Sequence, residues 1–419
     1  MAHLPQRHTH RSRKASPGQP GALGASGTAG ASRTLHVLGF SSVSHVLTFV
    51  LTYIRKEPVL FAAALCAALS SLAIPPSPQW IGYFDAQVLI LLLCLMATVS
   101  GLRRCGLLGR MAQYLTEHAS SLRSILLCLV LLPFFTSMLL TNDVALLTFV
   151  PFAILTLESL GQRRLLAFTV VMQAAAANLG GMVLPTGNPQ NIFIYAHYQL
   201  GFGEFVAALA PFCGASLVGC ILACTVASLL AAKSETGRVI PQPKTHVDKI
   251  LLAIHGVLFA LCLLCVARAI SCWMLLAIVA AALVLLDRKA FAGVDWGLLA
   301  TFVCFFILSG NLSSIPQVSQ ALSAPVTEHA FITSLAASQV MSNVPAAALL
   351  APFTSNWHGL LLGVNIGGLG TPIASLASLI AYRLYMTSVE ASSARFMIRF
   401  ALVNLGGLVL LCGMYAMLL

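Results

Sequence analysis

The chain has 419 residues, of which 58 % are hydrophobic and only 8 % are charged, and its formal net charge is +11. Soluble globular domains carry roughly 25 % charged residues, so this composition excludes soluble enzymes and secreted disulfide scaffolds. The basic residues stand in short clusters between apolar runs, as in the loops of membrane proteins, and this pattern excludes a nucleic-acid binder.

The N-terminal region differs in composition from the rest of the chain. Residues 1–36 are rich in Gly, Ala, Ser, Arg and His and contain no acidic residue, which predicts a disordered basic tail. An organellar transit peptide is the alternative. Residues 37–54 are apolar but interrupted by Ser and His, and they predict either an interfacial helix or an extra span.

From about residue 58 to the C-terminus, apolar runs recur at close to the ~20 residues that cross a ~30 Å hydrocarbon layer. They do not resemble the ~10-residue alternating strands of a membrane β-barrel. The sequence therefore predicts an all-α polytopic membrane protein. Continuous runs cover residues 58–75, 86–102, 204–232, 249–267, 270–286, 296–313 and 396–418. Runs interrupted by polar, Gly or Pro residues cover 123–158, 164–199, 327–353 and 357–383.

The distribution of Lys and Arg predicts how the chain threads the membrane, because cytoplasmic loops carry the excess of basic residues. Run 123–158 has arginines beyond both ends, whereas run 327–353 has none near either end. Both are therefore predicted as re-entrant hairpins, entered from opposite sides of the membrane. Runs 164–199 and 357–383 are predicted as broken transmembrane helices. With the N-terminus cytoplasmic and the C-terminus external, Arg268 is the only Lys or Arg predicted outside.

The two hairpins and the two broken helices repeat each other in sequence. TNDVALLTFVP matches SNVPAAALLAP, and NLGGMVLPTGNPQNIFIYAHY matches NIGGLGTPIASLASLIAYRLY. We therefore predict a first inverted repeat over 55–232, a cytoplasmic linker over 233–248 and a second repeat over 249–419. Inverted repeats with interrupted helices are typical of secondary transporters, whose substrates and ions bind at the interruptions. The Gly180–Gly181 and Gly367–Gly368 pairs predict close helix approach.

Asp143 is the only acidic residue predicted deep in the membrane. A charge at that depth costs at least ~2.5 kcal/mol, so it indicates a functional site: Asp143 would bind sodium or take up a proton. The alternative is a helix N-cap, and the two roles are compatible. Because no Lys or Arg is predicted at mid-membrane, an anionic substrate would be held by amides, hydroxyls, backbone N–H groups and cations bound beside it.

The predicted substrate and ion site combines the polar residues of the hairpin tips and helix interruptions. It consists of Thr141, Asn142, Asp143, Asn178, Thr186, Gly187, Asn188, Ser342, Asn343, Asn365, Thr371 and Ser375. The candidate sodium ligands are Asn142, Asp143 and Asn343. No cofactor is predicted apart from a coupling ion.

Four motifs in order, TNDVA, NLGG…PTGNPQN, SNVP and NIGG…TPIASL, resemble the ion transporter superfamily over residues 50–418. The resemblance is closest to arsenite/anion permeases and citrate/dicarboxylate transporter-like permeases, with sodium/proton antiporters as relatives. It implies a homodimer in which a mobile transport part moves like an elevator past a fixed scaffold. The residues to which it assigns cation and substrate binding are Thr141, Asn142, Asp143, Asn188, Ser342, Asn343, Thr371 and Ser375.

The sequence thus predicts a secondary active transporter that moves a small anion, a carboxylate or an inorganic oxyanion, coupled to a sodium or proton gradient. A sodium/proton antiporter and an ion channel remain alternatives, because hairpins with polar tips also build selectivity filters. No enzymatic activity is expected. The expected location is the inner (plasma) membrane, and the expected partners are a small anion, lipid and a second copy of the chain.

Overall fold

The computed structural model describes residues 57–119, 121–231, 246–389 and 391–418. The predicted tail (1–36), the segment 37–54 and most of the predicted linker (233–248) lie outside the described residues. Within the described ranges the chain forms α-helices joined by short 3₁₀ turns and contains no β-strand. The predicted all-α fold class is therefore confirmed.

The helices follow the predicted apolar runs closely. In the first half they are α1 (Pro58–Ala73), α2 (Ala86–Arg104), α3 (Leu107–Glu117), α4 (Leu122–Leu139), α5 (Asn142–Ser159), α6 (Leu166–Gly181), α7 (Pro189–His197) and α8 (Phe202–Ala231). In the second half they are α9 (Lys249–Val266), α10 (Cys272–Leu286), α11 (Trp296–Ser313), α12 (Pro316–Glu328), α13 (Ala330–Met341), α14 (Asn343–Leu350), α15 (Trp357–Ile366), α16 (Leu376–Tyr385) and α17 (Ser393–Leu418).

Seven helices of the described part are long and apolar enough to cross a membrane: α2, α4, α5, α8, α9, α11 and α17. This supports the multi-pass prediction.

Several of the aspartates stand at helix starts, where carboxylates satisfy free N–H groups. Asp85 accepts from the Val88 amide at 3.1 Å, and Asp295 accepts from the Leu298 amide at 2.8 Å.

Each interrupted run forms two helices. In the first hairpin α4 and α5 are joined at Leu140–Thr141, and in the second α13 and α14 are joined at Ser342. The broken helices are α6 and α7, separated by residues 182–188, and α15 and α16, separated by residues 367–375. We call these two separations the first and second break. Since α4 and α5 are each long enough to span a membrane by themselves, re-entry of the first hairpin stays a prediction.

Two short helices were not predicted, α3 and α12. Each stands directly before the first arm of a hairpin, and each carries Gln and Glu side chains among its apolar residues. Neither therefore produces an apolar run of spanning length.

Equivalent helices of the two halves make equivalent contacts. The first hairpin arm packs on the first half of the broken helix in both halves, α4 on α6 and α13 on α15. A Cβ on Gly180 would collide with the Phe134 carbonyl, and one on Gly367 would lie 3.1 Å from the Leu335 Cα. Gly180 corresponds to Gly367 in the repeat, and Phe134 corresponds to Leu335, so both glycines allow the same close approach.

The second arm of each hairpin packs on a broken helix of the other half. Helix α5 of the first hairpin packs on α16, and α14 of the second hairpin packs on α7. Around this centre, α1 packs on α11, and α2 packs on α9 and α10. The crossed packing brings both hairpin tips to the breaks.

Candidate functional site

Asn178, in the last turn of α6, connects three of the predicted elements. Its Oδ1 accepts a hydrogen bond from Asn142 Nδ2 at 2.9 Å and another from Ser375 Oγ at 2.9 Å. Asn142 begins the second arm of the first hairpin, and Ser375 stands at the end of the second break. All three side chains are buried. One amide oxygen therefore links a hairpin tip to both broken helices.

The tip of the second hairpin reaches the same break. The backbone N–H of Asn343 donates to the carbonyl of Ala374 at 3.0 Å. Ala374 immediately precedes Ser375. Ser342 has a positive φ of 76°, which costs a non-glycine residue about 1–3 kcal/mol and occurs at functional turns. The structure thus brings Asn142, Asn178, Asn343 and Ser375 together around Ala374–Ser375.

Asn365, the repeat counterpart of Asn178, belongs to a second polar cluster. Its Nδ2 donates to Asn191 Oδ1 at 2.8 Å, and its Oδ1 accepts from Gln190 Nε2 at 3.3 Å. Asn191 also donates to the Met182 carbonyl at 2.9 Å, which satisfies a carbonyl freed by the first break. Gln190 and Asn191 were not predicted as site residues, although Asn191 aligns with Ser378 in the repeat.

A single glutamine holds the second break in place. Gln339 Nε2 donates to the carbonyls of Gly367 (2.7 Å) and Leu369 (3.0 Å), and its Oε1 accepts from the Thr371 amide at 2.9 Å. The Thr371 hydroxyl donates to the Gln339 carbonyl at 2.8 Å. Thr371 is exposed. Both of these contacts are with Gln339, so Thr371 helps to hold the break but is not joined to Asn178. Nothing in the sequence pattern singled out Gln339.

Thr186 and Gly187 fasten the first break to the first hairpin. Thr186 Oγ1 donates to the Met138 carbonyl at 3.3 Å. A Cβ on Gly187 would lie 2.7 Å from the Ser137 carbonyl oxygen and would also collide with Gly181. Only glycine therefore allows the backbone to approach so closely here.

Among the described residues, three buried polar atoms of the first hairpin tip and the first broken helix have no hydrogen-bond partner: Asp143 Oδ1, Asn188 Oδ1 and Asn178 Nδ2. An unpartnered buried polar group costs about 1–3 kcal/mol, a cost that a ligand would remove. The two oxygens suit a hard cation or a proton, and the N–H suits an anion. Within the described ranges no group of three or more His, Cys, Asp or Glu side chains is placed to hold a metal ion. This oxygen and amide chemistry does not suit a transition metal.

Four helices begin at the tips and breaks: α5 at Asn142, α7 at Pro189, α14 at Asn343 and α16 at Leu376. A helix N-terminus carries a partial positive charge and free N–H groups, which favour anions. Helix α14 lacks the free N–H groups, because the Asn343 backbone N–H donates to the Ala374 carbonyl, the Val344 N–H donates to Asn343 Oδ1, and the next residue is a proline. The centre therefore offers anion-attracting helix ends beside unpartnered oxygen atoms.

A family model described as citrate transporter matches residues 46–359, which include both hairpins and the first break. The chain belongs to the citrate transporter family. It is similar to the inner membrane protein YbiR of Escherichia coli, with 33 % identity over 322 residues that cover 75 % of this chain and 84 % of the relative.

Further relatives agree with this assignment to the citrate transporter family. An uncharacterized transporter of Methanocaldococcus jannaschii is 32 % identical over 62 % of this chain and 71 % of its own. A 46 kDa membrane protein of Mycobacterium leprae is 27 % identical over 71 % of this chain and 77 % of its own. The resemblance to this family noted in the sequence is confirmed, and this family member is a multi-pass membrane transporter.

Proposed function

We propose that this protein is a secondary active transporter that moves a small anion, a carboxylate or an inorganic oxyanion, across the membrane, coupled to a sodium or proton gradient. The observation that carries the proposal is the Asn178 junction, where Asn142 of one hairpin and Ser375 of the other half's break share one amide oxygen. A substrate bound there would contact elements of both halves. It would therefore move together with the hairpins and broken helices of both halves.

The anion would be held by the N–H groups at the starts of α5, α7 and α16 and by the unpartnered Asn178 Nδ2. The coupling ion would lie beside it, with Asp143 Oδ1 and Asn188 Oδ1 among its ligands. Asn142 and Asn343 would contribute through the hairpin tips. The coupling cation and the anion would neutralise each other when bound side by side. Both could therefore leave water for this site although no arginine binds the anion there.

Alternating access would be of the elevator type. The hairpins and broken helices hold one another through α4–α6, α13–α15, α5–α16 and α14–α7, as expected of a body that moves as one. The helices α1, α2, α9, α10 and α11 would form the fixed scaffold. In this proposal the protein is a homodimer of the inner (plasma) membrane, with a cytoplasmic N-terminus and an external C-terminus.

Proteoliposomes test the transport step. We expect uptake of one anion class from a panel of citrate, succinate, phosphate and sulfate, accelerated by an inward sodium gradient or by an inward proton gradient. Asn178→Ala should slow this uptake by about tenfold or more, because it removes two hydrogen bonds of about 0.5–1.5 kcal/mol each. Asn404→Ala is the matched control, since buried Asn404 bonds only within its own helix, to the Phe400 carbonyl. Failure of folded protein to take up any of these anions under either gradient would contradict the proposal.

Sodium/proton antiport is the second candidate, and the unpartnered carboxylate oxygen of Asp143 favours it. An antiporter would release protons from the same vesicles when sodium is added and no anion is present. Sodium-induced proton release that is independent of every anion in the panel would decide for antiport.

A further inference from the structure

A deep apolar groove lies outside the central site, between the short helix α3 and the first hairpin arm α4. It has a volume of about 680 Å³, and Leu102 of α2 and Phe259 of α9 close its sides. Its lining is apolar except for Thr136, whose hydroxyl is already bonded to the Leu132 carbonyl at 2.7 Å. Such a groove offers nothing to a polar ligand.

The length of the groove along α4 is close to the thickness of one membrane leaflet. Its lining on α4 extends from Leu127 to Leu139, about 18 Å at ~1.5 Å per residue, against roughly 15 Å for half of the hydrocarbon layer. Phe135 and Leu139 are each about half exposed in it. Its deep end, at Leu140, is next to Thr141 of the first hairpin tip.

The shallow end of the groove is positively charged. Between residues 102 and 140 the chain has four arginines and one glutamate. Arg104 is paired with Asp287. Arg103 and Arg123 are exposed, and across the described part of the chain neither side chain has a hydrogen bond or an ion pair. Arg123 is one turn before Leu127 on the same helix, so it stands where the apolar lining of α4 begins.

We propose that this groove binds one acyl chain of an anionic phospholipid, whose phosphate pairs with Arg123 and Arg103. A guanidinium pairs with a phosphate through two parallel hydrogen bonds, and the apolar groove accepts only hydrocarbon. The bound chain touches Phe259 on one side and α4 on the other, so the lipid lies between α9 and the first hairpin. The inference does not depend on which substrate the protein carries.

Native mass spectrometry of the purified, delipidated full-length chain tests the site, with phosphatidylglycerol or phosphatidylcholine added in detergent. We expect phosphatidylglycerol to be retained and phosphatidylcholine to be lost. Leu131→Trp, which fills the groove, and Arg123→Gln, which removes the phosphate partner, should each lower retention by about tenfold. Leu222→Trp is the control, because Leu222 is exposed on α8 and lies outside the groove.

Three results would overturn the proposal. Equal retention of the two lipids would remove the role of the arginines. Unchanged retention in Leu131→Trp would place the lipid elsewhere on the protein. A change of oligomeric state in Leu131→Trp would assign the groove to a second copy of the chain. Should Leu131→Trp fail to fold, Arg123→Gln, a surface change, still decides the question.

Discussion

Asn178 is the residue on which the central contacts converge, and its geometry explains why an amide is needed there. Its oxygen accepts two hydrogen bonds while its nitrogen is left without a partner. An aspartate could accept the same bonds but would add a buried charge and lose the N–H, and a leucine would lose both. An asparagine can therefore hold the hairpin tip and the break together and still present a donor to a ligand.

Asp143 provides the sharpest test at the residue scale. Asp143→Asn should reduce gradient-driven uptake by about tenfold or more, because hydrogen bonds to charged groups contribute about 1.5–3 kcal/mol. The measurement is initial uptake into proteoliposomes across a series of pH values and sodium concentrations. Asp85→Asn, at the cap of α2, should leave uptake within about twofold of wild type because Asn and Asp cap equally well. Wild-type pH and sodium dependence in Asp143→Asn would contradict a coupling role.

Part of this residue-level picture was predictable from the sequence. The aligned asparagines pointed to the tips and breaks, and the structure brings Asn142, Asn178, Asn343 and Ser375 together. The contacts of Gln339 and Gln190 were not predictable, because a glutamine at any position of an apolar helix produces the same pattern. The role of such a glutamine becomes visible only in the folded structure, where its side chain contacts the free carbonyls of a break.

At the scale of single elements, the breaks persist because side chains replace the lost backbone hydrogen bonds. Asn191 does so for the first break and Gln339 for the second. A similar compensation occurs in α4, where Pro133 cannot donate to the Leu129 carbonyl. Gln173 Nε2 donates to that carbonyl instead, at 2.8 Å.

Gln339→Leu should therefore lower the melting temperature in detergent by several degrees. It leaves the buried Gly367 and Leu369 carbonyls without these partners, at a cost of about 1–3 kcal/mol for each unpartnered group. It also removes the partner of the exposed Thr371 backbone N–H. Gln320→Leu is the matched control, since Gln320 is exposed on α12. Equal melting temperatures for the two variants would show that the break does not depend on Gln339.

The glycine contacts between α4 and α6 lead to a second prediction at this scale. Gly180→Ala should destabilise the protein by about 1–3 kcal/mol, the usual cost of overpacking, because the added methyl collides with the Phe134 carbonyl. Gly214→Ala in α8 has nothing within 4 Å of the added methyl and should stabilise by about 0.5–1 kcal/mol. Thermal melting in the same detergent compares them. A Gly180→Ala variant as stable as Gly214→Ala would mean that the two helices can separate freely.

At the scale of the whole molecule, the sequence predicted where the apolar helices lie along the chain but not how they pack. Apolar runs mark where a chain crosses a membrane, yet they do not identify the neighbours of each helix. The packing of α5 on α16 and of α14 on α7 brings together segments that are far apart in the chain. The short helices α3 and α12 were missed because their Gln and Glu side chains interrupt the long apolar run by which a membrane-crossing helix is recognised.

Helices α2 and α9 are connected to the end of α10 by a partly buried ionic cluster. Asp287, just after α10, accepts from His255 Nε2 at 2.8 Å and is paired with Arg104. Burial alone raises the pKa of the Asp287 carboxyl, but the hydrogen bonds and charges of Arg104 and His255 lower this pKa below its usual value on balance. The stabilisation is therefore present above the unfolded pKa of about 3.9 and is lost as pH falls through the lower folded pKa.

Asp287→Asn should accordingly lower the melting temperature at pH 7. The difference from wild type should shrink below about pH 4, where the wild-type carboxylate becomes protonated. Melting curves across this pH range, with Asp248→Asn at the cap of α9 as the control, measure the effect. A difference that stays constant down to the lowest pH would exclude the charge of Asp287 as its source.

Because the second arm of each hairpin rests against a helix from the opposite half, neither half possesses a finished centre. A chain cut within residues 233–248 should regain activity only when both fragments are made in the same cell, and either fragment alone should be degraded. The same interdependence bears on ancestry. A single-copy ancestor with one hairpin and one broken helix could have built this centre only as two identical subunits, each completing the other.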